Sequence, residues 1–349
     1  MSMETYRIAV VGATSLVGQE MIRILEERNF PFSSMRFFTS DETASRLIYD
    51  WRHEHSVEIL GHVAEQEQFK DLDLVFFAEN EDSSRHWTPL AVETGATVID
   101  CSPAFRMEPG VPLVIPEVNV EDIRHHRGII TSPDCMVVLL NMILAPLHKV
   151  NPVKKVIVST YQSASGLGSL AMNELTLQTQ QFLAGESPRP HLFPHNLAFN
   201  VLPHVGVFLD SGYTKGEWQL LEETRKILHD NNILVSATCA WVPVFKGDCA
   251  ALNVEFENPI NADNVIDLLA KVPGLRVADD TSVNLYPQPR VVSGMDEILV
   301  GRIRQDILNE NGIVMWAAVD NIRKGAALNM VQIAEEIHQR GWLKAKGRK

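Results

Sequence analysis

The segment from Arg7 to Val11 is a continuous apolar run of the kind buried on both faces of a parallel sheet. A glycine turn, GATSLVG, follows it, and Met21, Ile22, Ile24 and Leu25 then recur at helical spacing. The pattern predicts strand, turn and amphipathic helix within RIAVVGATSLVGQEMIRILEERNF. SSMRFFTS predicts a second short strand, LDLVFFAE at 72–79 another, and ATVIDCS at 96–102 continues the alternation. Strands alternating with helical stretches imply βαβ units and a doubly wound α/β sheet.

The second half has a different texture. VKKVIVSTYQSAS at 153–165 and ILVSATCAWVPVF at 233–245 are longer β-rich runs. Between them KGEWQLLEETRKILH at 215–229 reads as a helix, with Thr214 and Glu217 spaced for a capping box. These features predict an α+β domain on a larger, antiparallel-rich sheet. GAALNMVQIAEEIHQ returns to helical periodicity, with Ala326, Met330, Val331, Ala334 and Ile337 on one side. Its pattern alone allows packing on either domain. The chain carries no internal repeat and no low-complexity segment.

At 349 residues, 45% hydrophobic and 21% charged, the chain has ordinary globular composition and room for two domains. Its net charge of −13 argues against nucleic acid or an anionic membrane as the main partner. The basic tail Lys344, Lys346, Arg348, Lys349 is too short to change that and reads as a solvated terminus. The four cysteines form no disulfide framework and no zinc spacing. The start lacks the regions of a signal peptide, and the longest apolar run, MVVLLNMILAPL, is too short to span a bilayer. A soluble, reducing compartment, most simply the cytoplasm, is the expectation.

Two motifs carry candidate chemistry. GATSLVG sits between strand and helix, where glycines let backbone approach a pyrophosphate at a helix N-terminus. Ser15 replaces the middle glycine, and any tight βα turn is the plain alternative. SPDCMVV places Cys135 before an apolar helical run, where the helix dipole favours a thiolate. A buried structural cysteine is the commoner fate of a lone Cys, and spacing alone favours it. The flanking sequence reverses that balance.

RIAVVGATSLVGQE, DCSPAFRM, PLVIPEVN, SPDC, VSTYQSASGLG, AFNVLPH, GYTKGEW…EETRKIL, VPVFKGD, VGRIRQD and VDNIRKGAALNMVQIAE occur in order from end to end. Together they resemble the aspartate-semialdehyde dehydrogenase family. The resemblance implies an N-terminal Rossmann-type doubly wound domain over 1–131, rejoined by a C-terminal helix in 325–349. It also implies a C-terminal α+β catalytic and dimerisation domain over 132–324. Family chemistry passes through a cysteine thioester, reducing an acyl phosphate or oxidising an aldehyde with phosphate, and hydride passes to or from a nicotinamide. The resemblance makes Cys135 the nucleophile, Gln162 the residue orienting the acyl group, and Arg106 an arginine holding phosphate or carboxylate. It places the cofactor on Gly12, Thr14, Ser15, Leu16, Val17 and Gly18, with Ser40 and Glu42 after the second strand. It also suggests a homodimer or higher homo-oligomer, and no metal.

Four positions depart from the family pattern. Asp248 stands at the histidine base, and Trp241 at a substrate-carboxylate arginine. Gly216 stands at the glutamate for the substrate amino group, and Gln219 at a phosphate-binding lysine. A one-residue slip would restore an acid at Glu217, but the shared Trp218 argues against it. Trp241 cannot pair with a carboxylate, nor Gly216 with an ammonium. Glu42 replaces an arginine that would hold a 2′-phosphate, which favours NAD over NADP. FFAEN replaces small and glycine residues beside the cofactor, and Arg36 and Arg46 read as surface charges. The leading expectation is a cysteine-dependent oxidoreductase of an altered small aldehyde or acyl phosphate, with Asp248 in place of the base. A catalytically degenerate binding or regulatory relative is the alternative. Ordinary aspartate-semialdehyde dehydrogenase with compensating residues is the third.

Overall fold

The computed structural model describes residues 5–40, 47–49, 54–61 and 65–343. It divides into two compact units, Met1–Asp134 with Ala326–Lys349, and Cys135–Gly325.

The first unit holds β1 (Tyr6–Val11), β2 (Phe32–Thr39), β3 (Leu47–Tyr49), β4 (Glu54–Ser56), β5 (Glu58–Ile59), β6 (Leu74–Phe77), β7 (Thr97–Asp100) and β8 (Ile129–Thr131). β3 and β4 form a separate antiparallel pair. The other six make one sheet in the order β5-β2-β1-β6-β7-β8, parallel at every pairing. This is the doubly wound α/β sheet that the alternation of strands and helices predicts. β1 lies in the sheet interior, so both its faces must be apolar. Ile8 and Val10 enter one buried cluster with Met21, Ile24 and Leu25 of the helix Leu16–Glu27. Ala9 and Val11 enter the opposite one with Phe69, Phe77 and Trp87.

The open question of the last helix is settled by its packing. Leu328, Met330, Val331, Ile333, Ala334 and Ile337 of the helix Leu328–Arg340 are buried in the cluster around Ile8 and Val10. The chain therefore returns to complete the first unit. Chain order runs from β1 to β2 on one side and then to β6 on the other. The carboxyl ends of these strands, at Gly12, Ser40 and Glu79, form the crevice where such sheets bind ligands.

The second unit holds β9 (Val153–Gln162), β10 (Leu234–Trp241), β11 (Asp248–Phe256), β12 (Leu275–Val277), β13 (Ile298–Gln305) and β14 (Gly312–Val319). They form a mixed sheet in the order β10-β9-β11-β14-β13-β12. β9–β11, β11–β14 and β13–β14 pair antiparallel, while the outer pairs β9–β10 and β12–β13 are parallel. The helix Cys135–Val150 packs on this sheet, and Met136 to Ala145 are all buried, which accounts for an apolar run interrupted only by Asn141. Among the described residues no helix is long and apolar enough to cross a membrane.

Candidate active site

Sheet register in the second unit brings three predicted site residues to one end. Parallel β9 and β10 finish at Gln162 and Trp241, which are direct partners. Antiparallel β11 begins beside them at Asp248. Cys135 opens its helix with its Sγ donating to Asp248 Oδ2 at 3.3 Å. Asp248 is buried, and its Oδ1 accepts the Ser163 backbone N–H at 2.8 Å and the Ser163 hydroxyl at 2.7 Å. Three donors thus converge on one carboxylate, the arrangement expected of an ionised acceptor.

The support extends beyond Asp248. Asn321 Oδ1 accepts the Gly247 N–H at 3.0 Å, and Asn321 Nδ2 donates to Ser165 Oγ at 2.9 Å. Ser163, Ser165 and Asn321 are all buried, so this network fixes the turn that presents Asp248. Gly325 supplies clearance around Cys135: a Cβ there would lie 2.6 Å from Cys135 Cβ. Sequence reading missed Ser163, Asn321 and Gly325. Ser163 lies in the SAS fragment, and Asn321 and Gly325 in the DNIRKG fragment, of the quoted motifs. We expect Gly325→Ala to lower the melting temperature, because overpacking of this kind costs ~1–3 kcal/mol. The same variant should slow alkylation of Cys135. Thermal unfolding and thiol labelling check both.

The substrate positions behave differently from one another. Gln162 is buried, and its Nε2 donates to Thr160 Oγ1 at 3.1 Å. Trp241 is only 6% exposed and belongs to an apolar cluster with Phe193, whose ring meets it edge-on at 5.7 Å. Its indole also closes over Gly166, where a Cβ would come within 3.0 Å. Trp241, expected from the resemblance at a substrate position, is therefore a packed core side chain. Gly216 lies against the Val205 carbonyl, 3.1 Å from where its Cβ would be. Gln219 is half-buried on the helix Lys215–Leu228. Glu217 does not replace the missing acid. Its Oε2 accepts the Thr214 N–H at 2.7 Å in the predicted capping box, and its Oε1 accepts the Cys239 N–H at 3.0 Å.

In the first unit the glycine turn has the form a dinucleotide requires. Gly12 has φ +82°, and a Cβ there would meet Ala78 O at 2.3 Å. Gly18 packs on the turn so closely that a Cβ would fall 2.1 Å from Gly12 O. Ser15 is the N-cap: its Oγ accepts the Gly18 N–H at 3.0 Å and donates to Ala78 O at 3.2 Å. The residue that departs from the glycine fingerprint thus anchors the helix start. Leu16 and Val17 open the helix half-buried, and the Thr14 carbonyl accepts from Gln19. This turn, closely packed at Gly12 and Gly18 and placed at a helix N-terminus, fits a pyrophosphate. The Ser40 N–H donates to Glu79 Oε1 at 3.1 Å. Glu42, read as a ribose acid, lies outside the described residues, as does Arg46. Arg36, read as a surface charge, pairs with Glu58 and donates to the Gln68 carbonyl.

Arg106 is buried, with Nε donating to Ser132 O at 3.1 Å and one terminal nitrogen to Cys101 O at 2.7 Å. Much of its donor fork is therefore committed to backbone that flanks the SPDC segment. Nearby Asp100 accepts from Ser84 and Ser102, and burial pushes its carboxyl above the ordinary range.

The other thiols are poor competitors for Cys135. Burial, aided by Asp100 and Asp248 respectively, pushes the Cys101 and Cys249 thiols up to about 12. Cys239 is fully buried. Limited iodoacetamide treatment followed by peptide mass spectrometry should therefore label Cys135 first. Earlier labelling of Cys101, Cys239 or Cys249 would contradict that ordering.

Known proteins match this architecture from end to end. Residues 7–126 match the semialdehyde dehydrogenase NAD binding domain, and residues 144–324 match the semialdehyde dehydrogenase dimerisation domain. Aspartate-semialdehyde dehydrogenase of Aquifex aeolicus is 43% identical over 339 residues, covering 96% of this chain and 99% of its own. The Synechocystis enzyme is 40% identical, covering 97% of this chain and 98% of its own. The crystal structure of aspartate semialdehyde dehydrogenase II from Vibrio cholerae superposes with a TM-score of 0.91 at 35% identity, covering 96% and 99% of the two chains. A Rossmann-type sheet with a nucleotide turn, a mixed-sheet domain headed by a cysteine helix, and these full-length matches agree: the chain belongs to the aspartate-semialdehyde dehydrogenase family of NAD(P)-dependent oxidoreductases.

Proposed function

We propose that this chain interconverts a small aldehyde and its acyl phosphate through a thioester on Cys135, using NAD, and that its substrate lacks the amino-acid head group. The observation that carries the reading is the direct Cys135–Asp248 pair at 3.3 Å at the head of a helix. In the oxidative direction Asp248 Oδ2 takes the thiol proton, and Sγ adds to the aldehyde carbonyl. Gln162, at the same strand end, is assigned the acyl oxygen. The nicotinamide, when bound, accepts or supplies the hydride. Phosphate then attacks the thioester carbon, and the sulfur leaves and recovers its proton from Asp248. Gly12, Ser15, Leu16, Val17 and Gly18 would hold the dinucleotide, and Glu42 favours its unphosphorylated form.

Substrate choice follows from what is gone. Trp241 is packed into the core, Gly216 has no side chain, and both Glu217 oxygens are engaged within the protein. These positions favour an uncharged acyl chain. The match of residues 144–324 to a dimerisation domain supports a homodimer or higher homo-oligomer, and a cytoplasmic enzyme is the reading.

The competing reading, a binding or regulatory protein, is favoured by one observation. Arg106, assigned to phosphate or carboxylate, spends donors on backbone carbonyls. NAD reduction with a panel of short uncharged aldehydes and phosphate, beside Cys135→Ala, separates the two. Our reading expects turnover that vanishes in the variant. The competing one expects dinucleotide binding with no cysteine-dependent turnover.

A further inference from the structure

We infer that Glu79, at the end of β6, reads the adenosine ribose and rejects a 2′-phosphate, in addition to the Glu42 assigned from the sequence. The inference rests on the proposed use of the first unit as a dinucleotide site.

β2 and β6 lie on opposite sides of β1. Glu79 leaves the end of β6, yet its Oε1 accepts the Ser40 N–H at the end of β2, at 3.1 Å. Its side chain therefore crosses the end of β1. The crossing passes over Gly12, where a Cβ would lie 3.1 Å from Glu79 Cγ. Sheets of this topology bind the adenosine ribose at the end of the second strand, using an acid to accept from the vicinal hydroxyls. Ser40 occupies that strand end and offers no acid of its own. Glu79 brings one from the far side of β1, and the Ser40 N–H fixes it there.

The geometry leaves the carboxylate half free. One oxygen holds Ser40, and among the described residues the other makes no hydrogen bond. Glu79 is half-buried, so its charge is incompletely screened. An oxygen so placed accepts ribose hydroxyls. A phosphate on the same ribose would meet it as a like charge, with only partial solvation to offset the repulsion.

A purely structural strap between β2 and β6 would use the same Ser40 contact, so the test keeps that contact and removes the charge. Full-length protein, Glu79→Gln and Glu42→Gln are titrated calorimetrically with NAD and with NADP, with thermal unfolding of each as a folding control. The side-chain amide oxygen that Glu79→Gln introduces can still accept from Ser40. The native protein is expected to bind NAD more tightly. Glu79→Gln should shift the NADP-to-NAD affinity ratio at least tenfold toward NADP, with unfolding unchanged. Should that variant unfold early, Glu79→Asp, which keeps the charge, must leave the native preference for NAD in place. A ratio unmoved by Glu79→Gln, or moved only by Glu42→Gln, overturns the assignment while leaving the dinucleotide reading intact. Binding of neither dinucleotide to any of the proteins overturns both.

Discussion

Turnover of aspartate semialdehyde with phosphate is expected to be at least a hundredfold below the ~10 per second of an ordinary enzyme. An amino-acid substrate brings a carboxylate and an ammonium that must both be paired once desolvated. Removing one partner of a buried charged pair costs ~2–5 kcal/mol. Here the indole of Trp241 is packed against Phe193 and Gly166, and Gly216 abuts the Val205 carbonyl. Glu217, the nearest acid in sequence, is held by Thr214 and Cys239. Asp248 in place of the family's histidine adds a separate kinetic cost, because a carboxylate is a far weaker base toward a thiol than an imidazole. These losses need not add, since groups in one site act as a unit. Even the smaller of them leaves a poor enzyme for this substrate. A steady-state assay with NAD and NADP, run beside Cys135→Ala, checks it. Cysteine-dependent turnover near ten per second would contradict the prediction.

Replacing Asp248 by histidine should accelerate alkylation of Cys135 at neutral pH by at least tenfold. A thiol and a carboxylate differ in ordinary pKa by about 4.6 units, so handing the proton across the 3.3 Å contact is uphill by ~6 kcal/mol. The resulting thiolate then faces a neutral carboxyl, which offers it no ion-pair attraction. With imidazole the gap narrows to about 2 units, ~3 kcal/mol, and the product is an attractive ion pair. The helix N-terminus at Cys135 favours the thiolate in either case. Asp248→Asn separates the two contributions, because it removes the charge while its side-chain oxygen can still accept from Ser163. Pseudo-first-order labelling rates across pH give the answer. A histidine variant that labels no faster would show that Asp248 does not control the nucleophile.

The fold was legible because burial writes itself into periodicity. Ile8 to Val11 had to be apolar throughout once β1 lay inside a parallel sheet, and Thr214 and Glu217 announced their helix by a local rule. The site was legible only where one residue carries its own chemistry. Cys135 could be read only with the family motifs around it, because its place before an apolar helix favoured a structural cysteine. Ser163 and Asn321 could not, because their role depends on contacts 85 and 158 residues apart in the chain that only the sheet register creates. Glu79 lay in the FFAEN segment read as a departure beside the cofactor, but its reach to Ser40 depends on β1 lying between β2 and β6. Trp241 was read as a lost arginine, while its destination in the apolar cluster required the packing around it.

The central claim is that Cys135 carries an acyl group, and trapping that group tests it most directly. The protein is mixed with acetyl phosphate in the absence of any dinucleotide, quenched in acid, and examined by intact and peptide mass spectrometry. Attack of Sγ on the acyl carbon expels phosphate and leaves a thioester that has no hydride to consume it. The account predicts one acetyl group per chain, located on Cys135, with an equivalent of phosphate released and no adduct on Cys135→Ala. An unmodified native chain, or an adduct that persists in Cys135→Ala, would contradict it.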